Sequence, residues 1–151
     1  MIEIERIDEE FERLREVISK LMVSTGYDKD EDLTNVTYDS SSPDDLQRIE
    51  KYREILYKMT GILGDLNYLK RPVLFEDKLI LRPDGRYGTL NGERYYTSGS
   101  LIEFLNHKNT EDGDSLPIWR TARVEHDGNG YYIVGFRNVP LDNLMVRVRG
   151  R

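Results

Sequence analysis

The spacing of apolar residues changes at Pro72, and no other feature of this 151-residue sequence limits its fold as much. Before that point Ile4, Ile7, Phe11, Leu14, Ile18 and Leu21 recur at intervals of three and four, with Glu and Arg between them, which makes one narrow apolar seam on a helix. A second helix is announced by Ser42 as N-cap, Pro43 at the first helical position, and Asp44 and Asp45 in the first turn, where carboxylates meet the positive end of the helix dipole. From there Ile49, Tyr52, Leu56, Met59, Leu63 and Leu66 repeat the seam, while Ile55, Ile62 and Leu69 widen it enough to serve two neighbours. Gly61 and Gly64 each weaken a helix by about 1 kcal/mol relative to alanine, so they are read as marks of a bend, an early end or a close backbone approach. Pro72 drives Arg71 out of helical geometry and stops the pattern.

Beyond Pro72 the period falls to two. The run "KLILRPDGRYGTLNGERYYTSGSLIEFL" reads as short strands, with Asn91-Gly92 as a two-residue hairpin turn in which both positions take positive φ. "PIWRTARVEHDGNGYYIVGF" supplies another hairpin around residues 127–130. "LMVRVR" ends the chain as a strand with Val146 and Val148 on one face and Arg147 and Arg149 on the other. Five or six strands in so short a segment predict a small, strongly bent sheet or an SH3-like antiparallel barrel. The expected fold class is therefore α+β. An acidic antiparallel helical hairpin, residues 1–71 with a long acidic loop at 24–41, packs through its second helix on a small all-β domain, residues 72–151.

Charge divides at the same place. Residues 1–71 hold 11 Lys and Arg against 17 Asp and Glu, a net of −6, whereas residues 72–151 hold 11 of each. Net acidity disfavours the phosphate backbone of nucleic acid and favours a basic protein surface as partner. The outer face of the first helix carries Glu5, Asp8, Glu9, Glu12 and Glu16, and the loop adds Asp28, Asp30, Glu31 and Asp32; these are the candidate partner-binding residues. The spacing leaves open whether the helical seams pair within the chain or between chains, so a homodimer through the helices stands beside the hairpin. With no cysteine the chain has no disulfide, thiolate zinc site or cysteine nucleophile, and its acidic start and lack of a long apolar run lead us to expect a cytoplasmic protein without membrane contact.

Several motifs invite a chemistry that their surroundings do not support. Asp28, Asp30 and Asp32 imitate the opening of a calcium loop, but Leu33 stands where glycine makes the turn and Asp39 where a bidentate glutamate closes the site. "GDSL" at residues 113–116 matches the nucleophile block of a serine esterase family, yet it falls in a polar loop ended by Pro117, with no Asp-x-x-His after it to complete a triad. His107 and His126 have no metal-ligand spacing, and the glutamates form no pair held in a cleft. No catalytic residue, metal or cofactor is assigned.

The succession "GRYGTLNGERYYTSGSLIEFL", "WRTARVEHDGNGYYIVGF" and "LDNLMVRVR" resembles a small, functionally uncharacterised β domain family found on plasmids, integrative elements and phages of Gram-positive bacteria. The resemblance spans residues 79–149 and brings no activity or catalytic residue with it. What it implies is a setting, an accessory protein of a mobile element. Within the same segment Arg94, Tyr96, Trp119, Arg120, Arg123, Arg147 and Arg149 are candidate nucleic-acid contacts, since small barrels bind single strands by stacking bases on aromatics beside arginines. Against them stand Glu93, Glu103, Glu125 and a net charge of zero. The leading expectation is a non-enzymatic protein-interaction factor, an acidic inhibitor or modulator of a host nucleic-acid-handling or defence protein. A nucleic-acid-binding barrel is the alternative, and an enzyme whose site is assembled from distant residues the second alternative.

Overall fold

The computed structural model describes residues 1–151 and divides into two compact units, Met1–Arg71 and Pro72–Arg151. The division falls where the periodicity changes.

The first unit contains two helices, α1 (Ile4–Thr25) and α2 (Pro43–Lys70). The Ser42 side chain accepts the Asp45 backbone N–H at 3.3 Å, Pro43 occupies the first turn, and Arg71 leaves the helix at ψ 133° ahead of Pro72, all as the sequence predicts. Gly61 and Gly64 behave differently from expectation. The helix runs unbroken through both, and a Cβ added at either would meet nothing within 4 Å, so they mark neither an early end nor a close approach. Lys70 at the end of α2 donates to Glu12 in the first half of α1, and the loop joins the opposite ends, so the helices run antiparallel.

Burial within this unit is concentrated at one end. Ile18, Leu33, Ile49 and Leu56 are buried, and Met22, Tyr27, Val36 and Met59 pack around the cluster of Leu33, Ile49 and Leu56. The rest of the α1 seam stays open: Ile4, Ile7, Phe11, Leu14 and Leu21 are 38–69% exposed. On α2 the row of Tyr52, Ile55 and Ile62 is exposed as well. At 100° per residue each row is turned to the side of its own line of contact with the other helix. Because the helices are antiparallel, both turn to the same side of the hairpin. Away from the loop that joins the helices, Ile4 and Phe11 of α1 and Leu66 of α2 line one groove of about 890 Å³.

The loop between the helices is built, not loose. Gly26, at φ 68°, ends α1, and a Cβ there would come within 2.3 Å of the Thr34 Oγ1 and 2.9 Å of the Asn35 backbone nitrogen. Tyr27 and Leu33 form a bridge, and Asn35 donates its backbone N–H to the Thr25 carbonyl at 3.0 Å. Leu33 is thereby held in the helical core.

The second unit is a seven-stranded antiparallel sheet curled into a half-barrel. Its strands are β1 (Val73–Leu81), β2 (Tyr87–Thr89), β3 (Tyr95–Tyr96), β4 (Leu101–Asn109), β5 (Ser115–His126), β6 (Tyr131–Ile133) and β7 (Met145–Arg149), in the order β3-β2-β1-β7-β4-β5-β6. The chain is thus α+β, with seven strands where the alternation predicts five or six, three of them only two or three residues long. Leu79, Tyr96, Ile102, Phe104, Val124, Ile133, Leu141 and Val146 form the core on the inner face. Val146 and Val148 are buried, and Arg147 and Arg149, which alternate with them, point the other way, as predicted.

Two turns depart from expectation. Asn91-Gly92 lies in a five-residue connection between Thr89 and Tyr95, and only Gly92 takes positive φ. The Asn91 side-chain oxygen accepts from the Thr89 hydroxyl and the Glu93 N–H, which fixes a wider turn in place of the two-residue one. Ser115 and Leu116 of "GDSL" belong to β5, and Pro117 sits within that strand opposite His107. Strand β6 pairs only with residues 124–126, so Pro117 faces an unladdered edge where its missing N–H does no harm.

Candidate functional site

The sequence-predicted acidic residues fall into two groups once their partners are known. On α1, Glu5, Glu9, Glu12 and Glu16 follow each other at intervals of four, three and four, a single stripe roughly opposite the apolar seam. Asp8 borders it. Glu12 is engaged: Arg15 donates to it at 2.5 Å and Lys70 at 2.6 Å, and these two contacts, Arg15 first, hold its carboxyl down from 4.5 to about 2. Glu5, Asp8, Glu9 and Glu16 make no ion pair.

The loop divides likewise. The Asp28 Oδ1 accepts the N–H groups of Asp30 at 2.9 Å and Asp32 at 3.0 Å, so this carboxylate is spent on shaping the turn. Asp32 pairs with Arg53 of α2 at 2.9 Å. Asp30 and Glu31 are exposed without an ion-pair partner, and Glu31 is held at φ 62° on the tip of the turn. A rigid loop therefore presents two of its four predicted carboxylates outward and uses the other two to hold its own shape. No group of three or more His, Asp or Glu side chains is arranged to hold a metal ion.

The predicted nucleic-acid contacts are spread over both faces of the sheet. Tyr96 is in the core at 2% exposure, and strand alternation leaves Tyr95 as the exposed member of the pair. Arg120 lies opposite Phe104 on the inner face, its guanidinium 5.7 Å from the Phe136 ring and its Nε buried without a hydrogen bond. Trp119 and Arg123 are on the outer face with Arg147 and Arg149. Arg123 is exposed, whereas Arg147 stacks 4.5 Å from the Trp119 ring. Arg94 lies at the β3 edge, 5.7 Å from the Tyr96 ring.

Glu103 was read from the sequence only as a charge that dilutes the arginines, and it turns out to organise them. Phe104 pairs with Val146, so Glu103 stands opposite Arg147 with Arg149 two residues along on the same face. Glu103 is buried, bonds to Arg147, and accepts from Arg149 at 3.0 Å. A second aromatic site was also missed: Arg82 and Arg86 approach the Tyr95 ring at 5.0 and 5.5 Å. The only sequence signal for either is strand parity, which needs the register before it names a pair.

The family model described as a domain of unknown function, DUF5348, matches residues 77–148, from within β1 to the penultimate residue of β7. The helical unit lies outside the match. No curated protein and no solved structure matches the chain. No helix is long and apolar enough to cross a membrane.

Proposed function

We propose that the chain is a non-enzymatic interaction factor whose helical unit binds a basic protein surface. The observation that supports this reading is the set of carboxylates outside any ion-pair contact, Glu5, Asp8, Glu9 and Glu16 along α1 and Asp30 and Glu31 on a loop fixed by its own hydrogen bonds. Fixed charges on a helix and a rigid turn favour fast, oriented encounter with an opposite charge and lose little entropy on docking. The resemblance of the β segment to domains of mobile elements suggests the setting, an accessory factor acting in the cytoplasm as inhibitor or modulator of a host nucleic-acid-handling or defence protein. The curled sheet, read as SH3-like, then serves as scaffold.

Affinity capture by the full chain from a nuclease-treated Gram-positive lysate tests this, run beside a variant carrying Glu5→Gln, Glu9→Gln, Glu16→Gln, Asp30→Asn and Glu31→Gln. Basic proteins retained by the parent, lost from the variant and released as salt rises support the proposal. Identical capture by both proteins overturns it.

A second reading has one observation in its favour. Tyr95, half exposed between Arg82 and Arg86 with Arg94 nearby, offers an aromatic and cations of the kind that hold a single strand. The engagement of Arg147 and Arg149 with Glu103 removes two of its predicted phosphate contacts, which is why it ranks second.

A further inference from the structure

We propose that the open side of the helical hairpin is covered by a second copy of this chain, so that two hairpins complete an antiparallel four-helix bundle. This surface is the opposite side of α1 from the carboxylate stripe, and its role is independent of the basic partner.

Two observations select a second copy as occupant. The first is area. The exposed apolar rows of α1 and α2 together leave roughly 650 Å² of surface, taking fully exposed residues of this size at about 150–200 Å², and a stable interface covers about 800 Å² on each partner, of which about two-thirds is apolar. Patches on monomers rarely exceed a few hundred. The second is pattern. On α1 the exposed row keeps the alternating three-four spacing of a helix-packing seam, interrupted at buried Ile18, and on α2 Tyr52, Ile55 and Ile62 continue such a seam around Met59, which packs on the core; two antiparallel helices with neighbouring seams are half of a bundle. Running the two hairpins antiparallel also places the acidic loops at opposite ends. Along the 22 residues of α1 that is about 33 Å, several Debye lengths, so they do not repel each other.

Sedimentation equilibrium of the full chain from about 1 to about 300 µM tests the proposal, with a dimer of twice 17.7 kDa expected to dominate above roughly 10 µM. The dimer should persist in high salt, which also separates this contact from the salt-sensitive docking of a basic partner. Ile7→Ala with Ile62→Ala truncates four side chains per dimer and should raise Kd about 100-fold or more, while alanine keeps both helices intact by circular dichroism. If the double variant loses helix, each single variant takes its place, with a rise of about 10-fold expected. Val23→Ala, exposed on the far side of α1, should leave Kd unchanged. A parent that stays monomeric throughout overturns the proposal, as does a dimer that dissociates in salt, one that ignores both Ile7 and Ile62, or one that Val23→Ala weakens equally.

Discussion

Single side chains decide most of what the two faces of this protein present to solvent. Glu103 is buried between Arg147 and Arg149, and breaking a buried ion pair from one side is far more costly than never having made it. Glu103→Ala, by bringing two guanidinium groups together without the carboxylate they share, should destabilise the sheet by about 3 kcal/mol, read as a lower urea midpoint in Trp119 fluorescence. A loss below about 1 kcal/mol would mean that the three charges are solvated in solution. Glu12 makes a different prediction because its carboxyl is favoured in the charged form. Its folded pKa of about 2 lies below the ordinary 4.5, so its stabilising contribution is complete above about pH 4.5 and is lost as the pH falls towards 2. An NMR titration of the intact chain should place the Glu12 midpoint near 2, and Arg15→Met, removing the larger cause, should move it up towards 4.5. A midpoint near 4.5 in the parent would show that neither ion pair forms. Neither role was legible in the sequence, since Glu103 lies 44 residues from Arg147 and Glu12 lies 58 from Lys70, and only the register of β4 with β7 and the antiparallel turn of the helices brings them together.

At the scale of elements, the signals that the sequence carries locally proved reliable and those that depend on neighbours did not. The start and stop of α2 are local: Ser42, Pro43 and Pro72 act on the backbone within a turn, and each does what its chemistry requires. The inward valines of β7 are local too, because parity alone places Val146 and Val148 together. Gly61 and Gly64 were misleading for the opposite reason. A glycine in a helix announces a lost side chain but not what surrounds it, and here the space is empty. Replacing both with alanine should therefore stabilise the helical unit by about 1 kcal/mol per site, seen as a higher midpoint at 222 nm. Gly26→Ala should do the reverse, lowering that midpoint, since φ 68° and the 2.3 Å approach of Thr34 leave no room for a Cβ. If Gly26→Ala were neutral, the loop would not be pinned as described and Asp30 and Glu31 would lose their fixed placement. The Asn91-Gly92 turn repeats the lesson: the dipeptide signals a hairpin correctly, while the Thr89 hydroxyl and the Asn91 amide set its length.

Across the whole molecule the two units differ in how much core they possess. The division at Pro72 was readable because a helical period gives way to a strand period there, and the charge asymmetry followed from composition alone. The incompleteness of the helical core was not readable, because a seam in sequence looks the same whether its partner lies in the same chain or elsewhere. In the structure the sheet buries eight apolar residues in one cluster, whereas the helical unit buries three, with Ile18 besides. So small a core leaves two helices of 22 and 28 residues marginal unless their exposed rows are covered. Stability that depends on association must rise with concentration by mass action, whereas stability residing within one unit does not. The chain carries its own reporters for the two cases. Its single tryptophan, Trp119, lies in β5, and its long helices dominate the circular dichroism at 222 nm. Raising the concentration of the full chain about 100-fold should therefore lift the 222 nm melting midpoint by several degrees while leaving the Trp119 fluorescence midpoint in place. Coincident transitions that ignore concentration would show that the helices draw their stability from within a single chain.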